Sequence, residues 1–184
     1  MCYFITAVLP PGTRLPEAQA IAERYGRNLT PLASSGIQAQ LRSGEMYCLT
    51  TVGHCDCDTS LGRAGRKRLS HQSPEEARAE KLAALGWSKG KIERALSQSA
   101  QSRERNRGRT SQSAAADTEA WVEFISAIRA ARIPYLGLLL HSYRGALSQN
   151  FPIKARLLVP PLAQLREVLP GLAEDTLYEF RTEA

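Results

Sequence analysis

Between Gly53 and Thr59 the chain places His54, Cys55, Asp56, Cys57 and Asp58 in five consecutive positions: one imidazole, two thiols and two carboxylates. Thiolate and imidazole are the ligands of zinc, which takes three or four such groups in a tetrahedron at about 2.0 to 2.3 Å. A thiol flanked by histidine and arginine is also an activated nucleophile. Cys55, with His54 beside it and Arg63 and Arg66 close in sequence, therefore supports a second reading, a reactive or redox-sensing thiol. The spacing restrains the metal reading. In an extended strand the thiols of Cys55-x-Cys57 point the same way but lie roughly 7 Å apart, so the loop must bend before both reach one ion. The structural alternative treats the cysteines as small hydrophobes, Asp56 and Asp58 as acceptors for turn amides, and His54 as the close of a strand.

No other stretch has the spacing of a known chemistry. The chain lacks the glycine-rich phosphate and dinucleotide loops, the Gly-x-Ser-x-Gly elbow and the His-Glu-x-x-His zinc helix. His71 and His141 stand alone, and using His141 as a base for Cys55 depends entirely on strand order.

The elements that position these residues are read from periodicity and punctuation. Residues 1–9 are rich in β-branched and aromatic types and end at Pro10-Pro11-Gly12, a strand and its stop. Leu15, Ala18, Ile21, Ala22 and Tyr25 recur at helical spacing before Gly26. A short Pro-interrupted strand is expected at 29–33, and a stronger one at 45–52 runs directly into the Cys/His run. Ser73-Pro74-Glu75-Glu76 starts a helix to Leu85, and Ser88 can cap a second one after Gly86-Trp87. The Ser, Gln and Arg composition of 97–113 predicts a mobile linker or a solvated helix extension. Asp117-Thr118-Glu119 reads as the cap of a further helix ending before Pro134, and 134–141 is the most hydrophobic strand. A strand near 154–159, a short helix at 161–168 and a strand at 176–180 complete the chain.

The order β-α-β-β-helical segment-β is that of a ferredoxin-like split β-α-β sheet, mostly antiparallel. Residues 62–115 form a basic helical or linker insertion, and a helix and strand are added at the C-terminal end. One α+β domain over 1–184 is the expected organisation. In that topology the first strand lies between the third and fourth, antiparallel to both. Cys2, His54, Cys55, Cys57 and His141 are then expected at one rim as candidate zinc ligands. Cys48 lies four residues back, roughly 13 to 14 Å away.

Charge is segregated. The net charge is +6, yet between Arg63 and Arg109 thirteen basic residues face five acids, a net of +8. Arg63, Arg66, Lys67, Arg68, Arg103, Arg105, Arg107 and Arg109 could neutralise phosphates, although the basic runs lack interleaved aromatics. Glu174, Asp175 and Glu179 make the C-terminal end acidic and offer a second charged surface for a partner. Crowded cysteines read as reduced thiols, and with no leader-like N-terminus and no long apolar run the expected setting is cytoplasmic, away from membranes. The expected role is non-catalytic binding of another macromolecule, a protein first, in the manner of an inhibitor or immunity protein that neutralises a toxin or enzyme. The alternatives are a zinc-containing nucleic-acid-binding protein, and a thiol-dependent enzyme or redox sensor centred on Cys55.

Overall fold

The first strand, β1 (Cys2–Leu9), is apolar on both faces because both faces are covered. Its odd-numbered residues Tyr3, Ile5, Ala7 and Leu9 pack under helices, while Val8 faces a second, smaller core. This computed structural model describes residues 2–62, 74–159 and 164–181, apart from the side chains at 74, 75, 77 and 100–112.

After Gly12, with φ +77, α1 (Leu15–Arg24) carries a proline in its first turn and buries Ala18, Ile21 and Ala22 on β1. It ends where Gly26, in the left-handed region, lets the Arg27 amide turn back to the Ala22 carbonyl at 2.9 Å. Then follow β2 (Thr30–Pro31), the one-turn α2 (Ser35–Gln38) and β3 (Met46–Leu49). Beyond the thiol loop, α3 (Pro74–Ala84) and α4 (Lys89–Ala130) form a helical hairpin closed at Gly86, φ +78. The chain returns through β4 (Tyr135–Tyr143), β5 (Ala155–Val159), the short α5 (Leu165–Val168), a 3-10 turn at Leu169–Gly171 and β6 (Thr176–Arg181).

The six strands lie in the order β2-β3-β1-β4-β6-β5, and every pair is antiparallel except β5 with β6. The first four strands take the order that the split β-α-β reading requires, with β1 between β3 and β4. The C-terminal segment adds β6 and β5 beyond β4, so it lengthens the sheet at one edge.

One face of the sheet is covered by α1, α5 and the last third of α4, through Trp121, Phe124, Ile125 and Ile128 at helical spacing. The other face buries Tyr47, Leu139, Tyr143 and Leu177 under Ile37 and Phe151. No helix among the described residues is long and apolar enough to cross a membrane.

Of the two alternatives for 97–113, a mobile linker or a solvated helix extension, the backbone takes the second: it continues as helix within the 42-residue α4, rich in Ser, Arg and Gln with no proline to break it. The reading of the next segment changes. Asp117 therefore lies inside α4 rather than at its cap, and its carboxylate is free for another task.

Candidate metal centre

β3 ends at Leu49, so on that side the part of β1 nearer the N-terminus has no strand beside it, while β4 still pairs the other side as far as Cys2. The thiol loop takes over that edge. The Asp56 amide donates to the Tyr3 carbonyl at 2.8 Å, and the Ile5 amide donates to Asp56 Oδ2 at 2.8 Å. The Tyr3 amide donates to Cys57 Sγ at 3.2 Å. A carboxylate and a thiol thus stand where carbonyls of a longer strand would be. Thr51 Oγ1 donates to the same Asp56 oxygen. Burial pushes the Asp56 carboxyl above the ordinary range, and the bonds from Thr51 and Ile5 only partly offset this.

The far side of the loop is pinned to α4. Asp117 Oδ2 accepts from both the Ser60 amide and Ser60 Oγ at 2.7 Å, while its other oxygen pairs with the buried Arg27. The Arg27 guanidinium lies over the Trp121 ring, 4.1 Å from its centre. Burial pushes Asp117 up, but Arg27 and Ser60 outweigh it and hold the carboxyl below its usual range. Gly62 closes the loop: a Cβ there would lie 1.9 Å from the Asp56 carbonyl oxygen, so no other residue fits without moving the backbone.

Held in this way, the sulfurs of Cys2, Cys55 and Cys57 all lie within 4.8 Å of one another, each half-buried at the rim. Tetrahedral zinc with Zn–S bonds near 2.3 Å needs sulfurs about 3.8 Å apart, so the residues fit the ion after shifts of well under an ångström. Burial, with Cys55 and Cys2 as neighbours, pushes the Cys57 thiol up, because adjacent thiolates repel. A divalent cation reverses that penalty. Cys48 lies in the core, wholly buried, and burial pushes its thiol up to about 11.

The two histidines expected at this rim lie elsewhere. His54 is exposed, and its ring nitrogens are outside the three-sulfur group. β4 runs to Tyr143, which is the partner of Cys2, whereas His141 pairs with Phe4 and lies two positions further in. Its Nδ1 is 2.5 Å from Asp175 Oδ1, and Lys154 Nζ holds Asp175 Oδ2 at 2.7 Å. The ring stacks on Phe151 at 3.5 Å and stands perpendicular to Tyr143 at 4.5 Å. With Tyr143 and Phe151 5.8 Å apart, the three ring centres make a triangle with a near right angle at His141. The imidazole therefore turns its edge, not its face, toward the Tyr143 ring. Nε2 is buried and makes no hydrogen bond, to a thiol or to anything else described.

The charged residues expected to meet a partner divide in two. Arg63, Arg66, Lys67 and Arg68 lie outside the described residues, as do the side chains of Arg103, Arg105, Arg107 and Arg109, whose backbone belongs to α4. The acids are turned inward. Asp175 is held by His141 and Lys154, and Glu174 accepts the Ser142 amide at 2.8 Å. Glu179 is fully buried and paired with Arg156, Arg42 and Arg181. Sequence reasoning missed the residues that shape the loop, Thr51, Asp117 and Arg27, and read Asp56 as a turn acceptor when it serves a strand. No sequence signal marks them, since arginine, aspartate and threonine are residue types that mostly stay exposed.

No family model, curated protein or solved structure matches this chain.

Proposed function

We propose that the protein is a zinc-clamped, non-catalytic binding protein. The observation that carries this is the meeting of three sulfurs from two segments more than fifty residues apart, within 4.8 Å, on a loop fixed from both sides. Cys2, Cys55 and Cys57 hold the ion as thiolates and leave its fourth position to a ligand from outside the three-sulfur group. The ion ties the start of β1 to the thiol loop, a structural task. Reduced thiols suit a cytoplasmic setting. Burial of His141 Nε2 away from the thiols favours a structural centre over a cysteine-histidine catalyst.

A protein is the partner class we attach to the binding role, inhibition of an enzyme or toxin being one form of it. Nucleic acid is the competing class.

The deciding experiment is elemental analysis of protein purified without a metal-affinity tag, followed by Co(II) titration of the apoprotein. The expected result is about one zinc per chain and an intense thiolate-to-cobalt band, both lost in Cys55→Ser and Cys57→Ser and kept in Cys48→Ser. Absence of stoichiometric metal together with a cobalt spectrum lacking the thiolate band would overturn the reading.

A further inference from the structure

Three sulfurs allow three disulfides, and the backbone around them separates the choices. Cys55 and Cys57 share one loop with a single residue between them. That residue is Asp56, whose amide and carboxylate are both committed to β1, so bending the loop to join its neighbours would break bonds to Tyr3 and Ile5. Cys2 and Cys57 come from different segments that already run side by side. The Tyr3 amide donates to Cys57 Sγ at 3.2 Å, and the Asp56 amide donates to the Tyr3 carbonyl at 2.8 Å. Facing residues of adjacent antiparallel strands bring their Cα atoms to about 4.5 to 5.5 Å, inside the range of roughly 4.4 to 6.8 Å that a disulfide accepts. Cys57 is thus the sulfur laid against β1, one residue from Cys2. All three thiols are half-buried at the rim and open to a small oxidant, whereas Cys48 is wholly buried and takes no part.

We propose that this centre is a peroxide-responsive switch, in which oxidation joins Cys2 to Cys57 and expels the metal. The inference rests on the zinc reading and adds a regulation to it. One thiolate of the pair attacks hydrogen peroxide: an S–O bond forms, the O–O bond breaks and hydroxide leaves. The other thiolate then attacks the resulting sulfenic acid, forming the S–S bond and releasing a second hydroxide. Both hydroxides take up protons, so two thiolates and one peroxide give one disulfide and two waters. Zinc needs three or four ligands, and the thiolate rather than the disulfide is the ligand form. With only Cys55 left, the ion departs as Zn²⁺. The new bond spans the same two segments, more than fifty residues apart, that the metal had tied. Oxidation therefore replaces one clamp with another and leaves Cys55 as a free thiol next to the exposed His54.

The test treats the zinc-loaded full chain with hydrogen peroxide, follows zinc with a chelating dye and maps disulfides by mass spectrometry of unreduced peptides. The expected result is one zinc released per chain, in step with a Cys2–Cys57 cross-link. Cys55 then remains the one thiol of the three that iodoacetamide labels, and dithiothreitol restores zinc binding. Metal-free Cys55→Ser should still form the cross-link, with a thermal midpoint higher after oxidation than before. Zinc retained under peroxide, zinc lost with a bond from Cys55 to either partner, or zinc lost with sulfinic acids and no cross-link would each overturn the switch while leaving the metal reading intact. A chain that holds no zinc before peroxide is added overturns both.

Discussion

The Ile5 amide donates to Asp56 Oδ2 at 2.8 Å, at the point on β1 where β3 has already ended. A side chain continues the ladder that the neighbouring backbone abandons, and the two cysteines flanking Asp56 are thereby brought beside Cys2.

Removing that carboxylate should uncouple the thiol loop from the sheet. Asp56→Ala leaves the Ile5 amide and the Thr51 hydroxyl without their acceptor in a buried site, at a cost of about 2 to 3 kcal/mol. Chemical denaturation should show the loss, and zinc affinity should fall with it. Asp56→Asn keeps an acceptor and separates charge from shape. Because burial raises the folded carboxyl above its unfolded value, near 3.9, its contribution to stability is fully present below that pH. It is lost as pH rises through the folded value. The stability gap between wild type and Asp56→Asn should therefore shift in favour of Asn as pH rises from 3 toward neutrality; a gap independent of pH would contradict the raised carboxyl.

Asp117 titrates in the opposite sense. Held low by Arg27 and Ser60, its stabilisation is present above the unfolded value and lost as pH falls through the folded one. Asp117→Ala strands the buried Arg27 and frees Ser60. The expected destabilisation at neutral pH is about 3 kcal/mol, shrinking toward pH 3, with weaker zinc binding because the loop has lost its far anchor.

On the second face of the sheet, Arg156 lies between two fully buried carboxylates, Glu45 and Glu179. Burial pushes Glu45 up, but hydrogen bonds from Arg156, Tyr135 and the Arg42 amide outweigh it and leave the carboxyl low. Burial and the Glu45 charge push the Tyr135 phenol up to about 12. Arg156→Met should cost no more than about 3 kcal/mol, because Glu45 and Glu179 lose their shared cation but keep Arg42 and Arg181. Glu45→Gln should bring the Tyr135 absorbance transition down toward the ordinary phenol value, which an ultraviolet titration measures directly.

The four thiols should divide by location. In metal-free native protein, iodoacetamide followed by mass spectrometry should label Cys2, Cys55 and Cys57, while Cys48 reacts only after denaturation. Zinc should protect the first three. Since Cys57 is pushed up by burial and by its neighbouring thiols, zinc affinity should rise between about pH 6 and 8.5 as protons are displaced.

The placing of Cys2 at the same rim as Cys55 and Cys57 was legible from the alternation of β, α, β and β segments, while the bonds of Asp56 that draw the three sulfurs together were not. His141 was misplaced because element ends are poorly marked: β4 continues through Ser142 and Tyr143, so the rim lies about 7 Å beyond His141. The acidic tail looked like surface because composition carries no partner information; Glu179 needed Arg156, Arg42 and Arg181 in space before its burial made sense. Residues 97–113 have no apolar face, so the sequence leaves a linker and a solvated helix extension both open, and the unbroken backbone decides for the helix.

That unbroken passage turns α4 into a ruler. Leu96 in the hairpin and Asp117 on the thiol loop are borne by one helix, about 32 Å apart at 1.5 Å per residue. The hairpin is therefore presented at a set span and a set angle from the thiol rim. Inserting or deleting a residue between them would rotate one end by about 100° against the other, so this stretch tolerates changes of residue type far better than changes of length.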